Sequence, residues 1–124
     1  MIGRLLCVVV DCPAPSALAG FYEQLLGLGR VEDTPEWVTL SGPDGGVWVA
    51  FQRVDDFVPP RWPDPAAPQQ IHLDVLVEDL DVAEGQVLEL GGKLLEGSDK
   101  PIGFRVYADP EGHPFCLVTP ESGA

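Results

Sequence analysis

Basic residues are scarce in this chain. Lys and Arg number 7 against 20 Asp and Glu in 124 residues, a formal net charge of −13 at pH 7. A surface of that sign repels a phosphate backbone, which excludes nucleic acid as a partner. Long apolar runs are missing as well. Ile2–Val10 is apolar, yet far shorter than the roughly 18 residues a membrane span requires. No small-residue cleavage site follows it, so neither a membrane segment nor a signal peptide is expected. Cysteine is limited to 3 residues, an odd number that builds no disulfide framework. The expectation is a reduced, cytoplasmic protein. What the chain does have is an apolar fraction of 45%, enough for the core of one domain of this length.

It also has a pattern written twice. CVVVDCPAPSALAGFYEQLLG (Cys7–Gly27) and HLDVLVEDLDVAEGQVLELGG (His72–Gly92) each read as a strand, a turn, an amphipathic helix and a glycine stop, offset by 65 residues at both ends. Further on, GPDGGVWVAF (Gly42–Phe51) aligns with DPEGHPFCLV (Asp109–Val118) at an offset of 67. A repeated order of features dictates architecture, and two copies indicate a duplicated module, not a solenoid.

The local signals fill in each copy. Leu5–Asp11 is a Val-rich strand, apolar enough for both faces to be buried. Ser16 is placed to cap a helix whose apolar face is Leu18, Phe21, Tyr22, Leu25 and Leu26, closed by Gly27 and Gly29. Val31–Leu40 and Val47–Val54 supply strands around an SGPDGG turn (Ser41–Gly46). Phe57–Gln70 is too rich in proline for helix or inner strand and reads as a stiff connector, with Trp62 its one large anchor. Trp62 either plugs the edge of the core or walls a pocket. Ile71–Val77 is a strand in which His72, Asp74 and Leu76 share a face. Asp81 is placed as the next helix cap with Glu84 in capping-box position, ahead of an apolar stripe of Leu80, Ala83, Val87 and Leu90. Strands at Lys93–Glu96, Phe104–Ala108 and Phe115–Thr119 follow, with a loop at Ser98–Gly103 and a loose ESGA tail. The predicted fold is α+β: one domain over 1–124, with βαβββ modules at 5–56 and 71–120 joined by the linker at 57–70.

FYEQLLG at the end of the first helix, the HLDVLVEDLD strand and turn, and DPEGHPF before an apolar strand together resemble the vicinal oxygen chelate superfamily. That group includes glyoxalase I, bleomycin- and fosfomycin-resistance proteins and extradiol dioxygenases. The chain is most similar to the small bacterial glyoxalase-like domains, and the resemblance covers nearly all of it. It implies two curled sheets around a cleft, helices outside, and homodimerisation. In metal-using members it also implies four ligands, from the first and last strand of each module.

Carried onto this sequence, those four positions read Cys7, Val49, His72 and Cys116. The usual carboxylates are gone, which argues against glyoxalase I and extradiol chemistry. Three readings of Cys7, His72 and Cys116 stay open. The cysteines are small core residues beside a hydrogen-bonded histidine; or the three form a Cys₂His metal site; or His72 activates a thiol, or a Cys7–Cys116 disulfide forms. Cys12 reads as structural and His113 as a turn residue bonded to backbone. Asp74 can orient His72 or meet a cationic group, or be a solvated carboxylate at the cleft mouth. Arg105 and Tyr107 share a face, suited to an anionic or hydroxylated ligand or to an exposed Arg stem over the ring.

The function expected is binding of a small organic molecule in an apolar cleft by Cys7, Val49, Trp62, His72, Asp74, Arg105, Tyr107 and Cys116, with no metal or other cofactor and no catalytic residue assigned. The alternatives are a metal-dependent lyase, isomerase or oxygenase on the Cys/His/Cys set, and a structural or partner-binding domain whose cleft is filled by Trp37, Trp48, Trp62 and Phe57.

Overall fold

The computed structural model describes residues 1–42, 44, 46–97 and 102–120. The expected turn at 41–46 and loop at 98–103 lie partly outside the described residues, and the tail at 121–124 wholly so. The chain divides into two units, Met1–Phe57 and Val58–Ala124. Each is a four-stranded mixed sheet with one helix, so the chain is α+β with two modules.

The first unit comprises β1 (Cys7–Cys12), α1 (Pro15–Leu26), β2 (Gly29–Asp33), β3 (Trp37–Ser41) and β4 (Trp48–Arg53). Their order in the sheet is β1-β4-β3-β2, with β1 parallel to β4 and the other pairs antiparallel. α1 starts one residue before the expected cap. Pro15 takes the first turn, where its missing N–H costs nothing, and the N-cap is Ala14, with no side-chain bond. Ser16 therefore does not cap; its Oγ accepts from Arg30 Nη1 at 2.8 Å. Gly27 closes the helix at φ 66°, a left-handed conformation in which its N–H reaches Glu23 O. Leu18, Ala19, Phe21 and Tyr22 are buried, and Tyr22 stacks on Phe51 with centroids 5.4 Å apart. Phe51, and with it Val49, thus faces α1. Burying each such side chain stabilises by roughly 1.5–3 kcal/mol. β1 is not buried on both faces: it is an edge strand of its sheet, and Val9 is 43% exposed.

The second unit repeats this order with β5 (Leu73–Leu76), α2 (Leu80–Glu89), β6 (Lys93–Glu96), β7 (Phe104–Ala108) and β8 (Pro114–Val118), arranged β5-β8-β7-β6. Even an irregularity recurs: the pairing slips between Arg30 and Glu32 on β2, and between Leu94 and Glu96 on β6. The N-cap of α2 is Asp79, whose carboxylate accepts from Val82 N at 3.0 Å. Asp81 instead lies in the first turn, and Glu84 makes no capping box; both turn to the sheet. Gly92 follows the helix where a Cβ would meet Val87 Cγ1 at 2.5 Å, so only glycine lets the chain pass so close beneath α2. Residues 58–70 form no regular element. They run through tight turns such as Arg61 N to Ala67 O at 2.7 Å and belong to the second unit. Among the described residues no helix is long and apolar enough to cross a membrane.

Candidate functional site

Alternation along β7 and β8 gives the second sheet two different faces. Arg105, Tyr107 and Phe115 point to α2: Arg105 Nη2 donates to Asp81 Oδ1 at 2.9 Å, and Tyr107 Oη donates to Glu84 Oε1 at 2.8 Å. Tyr107 also stacks on Phe115 at 5.7 Å. The residues between them face the other way. Phe104, Val106, Pro114, Cys116 and Val118 floor a cavity of about 410 Å³, and Trp62, His72, Asp74 and Glu96 complete it. Trp62 packs on Val106, Cys116 and Val118. It therefore walls the cavity and covers the floor at once.

The polar corner is built by strand register. Asp74 and Cys116 are paired residues of the parallel strands β5 and β8, so their side chains stand together on one face. His72, two residues before Asp74, falls on the same side, and its Nε2 lies 3.2 Å from Asp74 Oδ1. One donor atom from each of His72, Asp74 and Cys116 lies within 4.8 Å of the others. The Cys116 thiol is pushed up to about 11 by burial first, then by the charge of Asp74 and its hydrogen bond to it, and last by Glu96. At neutral pH the sulfur keeps its proton and donates it to Asp74. An activated Cys116 nucleophile is contrary to this geometry, because the neighbours that raise the thiol are anions.

The sequence-predicted residues divide accordingly. Trp62, His72, Asp74 and Cys116 are brought together. Arg105 and Tyr107 are not in the cavity; both are buried under α2. Burial works to lower the Arg105 pKa, but its bonds to the Asp81 and Glu84 carboxylates leave it raised, and burial followed by Glu84 raises Tyr107. Val49 is corrected as well. In the first sheet the residue paired with both Val9 and Thr39 is Ala50. In the second, the residue paired with Asp74 and Val106 is Cys116. Ala50, not Val49, is therefore the counterpart of Cys116. A count made from the turn glycine slips by one residue, and one residue in a strand reverses the face. Cys7 sits on β1 in the first unit, half-buried, its thiol raised by burial and then by Glu32. Cys7, Cys12 and Cys116 form no disulfide, and Cys12 is fully buried. His113 bonds through Nδ1 to the Asp109 carboxylate at 2.7 Å, locking its turn.

Glu96, Phe104, Val106, Pro114 and Val118 were missed. The alternation of β7 was legible, but the polar face was taken for the ligand face. The repeat itself held the signal for Glu96, since Glu32 occupies the same place beside the slip in β2.

A family model for the glyoxalase-like domain matches residues 7–118. The chain belongs to the glyoxalase-like domain family. Solved members and neighbours share its fold at low identity. A glyoxalase-related enzyme from Fulvimarina pelagi has TM-score 0.72 and 21% identity, covering 97% of this chain and 90% of its own. The fosfomycin resistance protein FosX from Listeria monocytogenes has TM-score 0.71 and 13% identity, with coverages of 96% and 94%. The antibiotic binding protein TnmS3 from Streptomyces has TM-score 0.61 and 21% identity, with coverages of 96% and 97%. A search of curated proteins finds no match.

The donor atoms gathered at this corner make a divalent ion the group to test against these residues. An imidazole nitrogen, a carboxylate oxygen and a thiol sulfur within 4.8 Å are a donor set that zinc accepts, with a fourth position open. The residues fit, on condition that the ion displaces the thiol proton.

Proposed function

We propose that this glyoxalase-like chain binds a small organic molecule in the cavity on the open face of β5–β8. The observation that carries the reading is the cavity itself: about 410 Å³, floored by Phe104, Val106 and Val118, walled by Trp62, with its polar groups gathered at His72, Asp74 and Cys116. A concave apolar wall with a few convergent polar groups is what a small-molecule site requires. The neighbours described as resistance and antibiotic-binding proteins are consistent with that use of the fold. Homodimerisation and a cytoplasmic setting belong to the same proposal. The test is a thermal-shift screen of small organic molecules on the wild type and on Val106→Phe, which fills the cavity from its floor. A ligand at a hundredfold excess over its Kd stabilises by about 2.7 kcal/mol. Shifts present in the wild type and lost in Val106→Phe are expected; shifts that survive the substitution would place binding elsewhere.

A second reading has its own observation, the 4.8 Å donor set. In it His72, Asp74 and Cys116 hold a zinc-like ion, which would supply Lewis-acid polarisation of a bound oxygen. The expected result is one zinc per chain by elemental analysis, lost in His72→Ala and in Asp74→Asn. Zinc that is retained in both variants would refute the site.

A further inference from the structure

We propose that the occupant of this cavity is an organic cation, an aromatic or alkyl ammonium whose charge lies between Asp74 and Glu96 and whose apolar body lies against Trp62 and Phe104. The inference rests on the binding reading above and names its ligand class. The sign of the cavity is the first argument. Two carboxylates line it, and among the described lining residues there is neither Arg nor Lys. The one imidazole, His72, is already bonded to Asp74, and even when protonated it leaves the acids in the majority. The basic residue nearest in sequence to the floor, Arg105, is turned to the opposite face and held by Asp81 and Glu84.

Carboxylates in the wall of a largely apolar cavity favour a cation over an anion. The second argument is the aromatic lining. Trp62 lies on the floor residues, and Phe104, a floor residue itself, is 55% exposed. The two rings take the ligand's carbon groups, and their faces add attraction for the positive charge beside them. A neutral molecule of the same shape gains the burial but leaves the two carboxylates partly desolvated with no cation from the ligand to offset their charge.

The experiment uses a panel of matched ligands in the presence of chelator. One set is 3-hydroxyphenyltrimethylammonium, its uncharged isostere 3-tert-butylphenol, and 3-hydroxybenzoate; further sets vary the ring size. Binding is measured by calorimetry at neutral pH. The cation is expected to bind at least tenfold more tightly than the isostere, and the anion most weakly. Asp74→Asn and Glu96→Gln should each reduce the cation-to-isostere ratio several-fold. Glu89→Gln, which removes the same charge from α2 on the other side of the sheet, should leave the ratio unchanged and so controls for the overall acidity of the chain. Equal binding of cation and isostere would overturn the cation assignment and leave the binding reading standing. Failure of every set to bind would overturn both.

Discussion

The two modules have one backbone plan and opposite polarity on the face away from the helix. In the first sheet that face carries Val9, Thr39 and Ala50; at the paired places in the second stand Asp74, Val106 and Cys116. The first sheet has its polar groups bonded to one another. Trp37 Nε1 donates to Thr39 Oγ1 at 2.6 Å, and Thr39 donates on to Glu32 at 2.8 Å. In the second sheet the Thr is a Val, the Trp is a Phe, and the glutamate is left facing a cavity. On one register, a few side-chain differences give a bonded polar chain in the first unit and a cavity lined by carboxylates in the second. The helices are latched in parallel fashion. Arg30 joins β2 to α1 through Glu23 at 2.6 Å, and Arg105 joins β7 to α2 through Asp81 and Glu84.

That comparison can be broken at its core first. Phe115 and Val49 occupy matching places under their helices, opposite Tyr107 and Leu40. Phe115→Ala is expected to cost about 3–5 kcal/mol in denaturant unfolding, and Val49→Ala about 1.5–2 kcal/mol for two lost methyl groups. A Val49→Ala variant with no loss of stability would put Val49 back on the open face. The latches come next. Arg105 is only 3% exposed whereas Arg30 is 21% exposed. Glu84→Ala removes the carboxylate that pairs with the buried Arg105 and accepts from the Tyr107 hydroxyl, an expected cost of about 2–3 kcal/mol. Glu23→Ala leaves Arg30 its bonds to Asp33 and Ser16 and is expected to cost under about 1 kcal/mol. Equal losses would mean that burial does not distinguish the two.

Thr39→Val copies the second module into the first. It separates Trp37 from Glu32 and is expected to cost about 1–2 kcal/mol, with a red shift in tryptophan emission as the indole N–H turns to water. The smallest effect is on pH dependence. The Cys116 thiol is raised from 9.0 to about 11 in the fold, so folding favours its protonated form. That contribution to stability is whole below pH 9 and falls away as the pH rises through about 11. Alkylation of Cys116 by iodoacetamide should accordingly climb until about pH 11, and Asp74→Asn should make it several-fold faster at pH 9. A rate that Asp74→Asn leaves unchanged would remove Asp74 as the partner of the thiol.

The local plan was legible because its signals are local. β6 and β7 begin and end where the alternation and turn residues place them, and of the apolar stripe of α1 Leu18, Phe21 and Tyr22 are buried while Leu25 and Leu26 are half-buried. Helix starts were less legible. Asp79 and Asp81 are both competent caps, and Arg105 draws Asp81 to the sheet from a residue far along the chain. The candidate cavity was partly legible. His72 and Cys116 stood out as positions the resemblance implies, and Asp74 and Trp62 by residue type, but type also pointed to Arg105 and Tyr107, whose polar atoms answer the acids of α2.

The two-module order, the kinds of element in each module and the excess of negative charge follow from the sequence alone, since periodicity, turn residues and composition act over short distances or over the whole chain at once; the family was legible only through the resemblance of its motifs. Only the tertiary structure decided which face of β7 and β8 is open, that Ala50 and not Val49 answers Cys116, and that Asp74 stands beside the thiol. These depend on strand register, where a shift of one residue reverses every side chain, and register is settled by the packing of a helix against one face of the sheet.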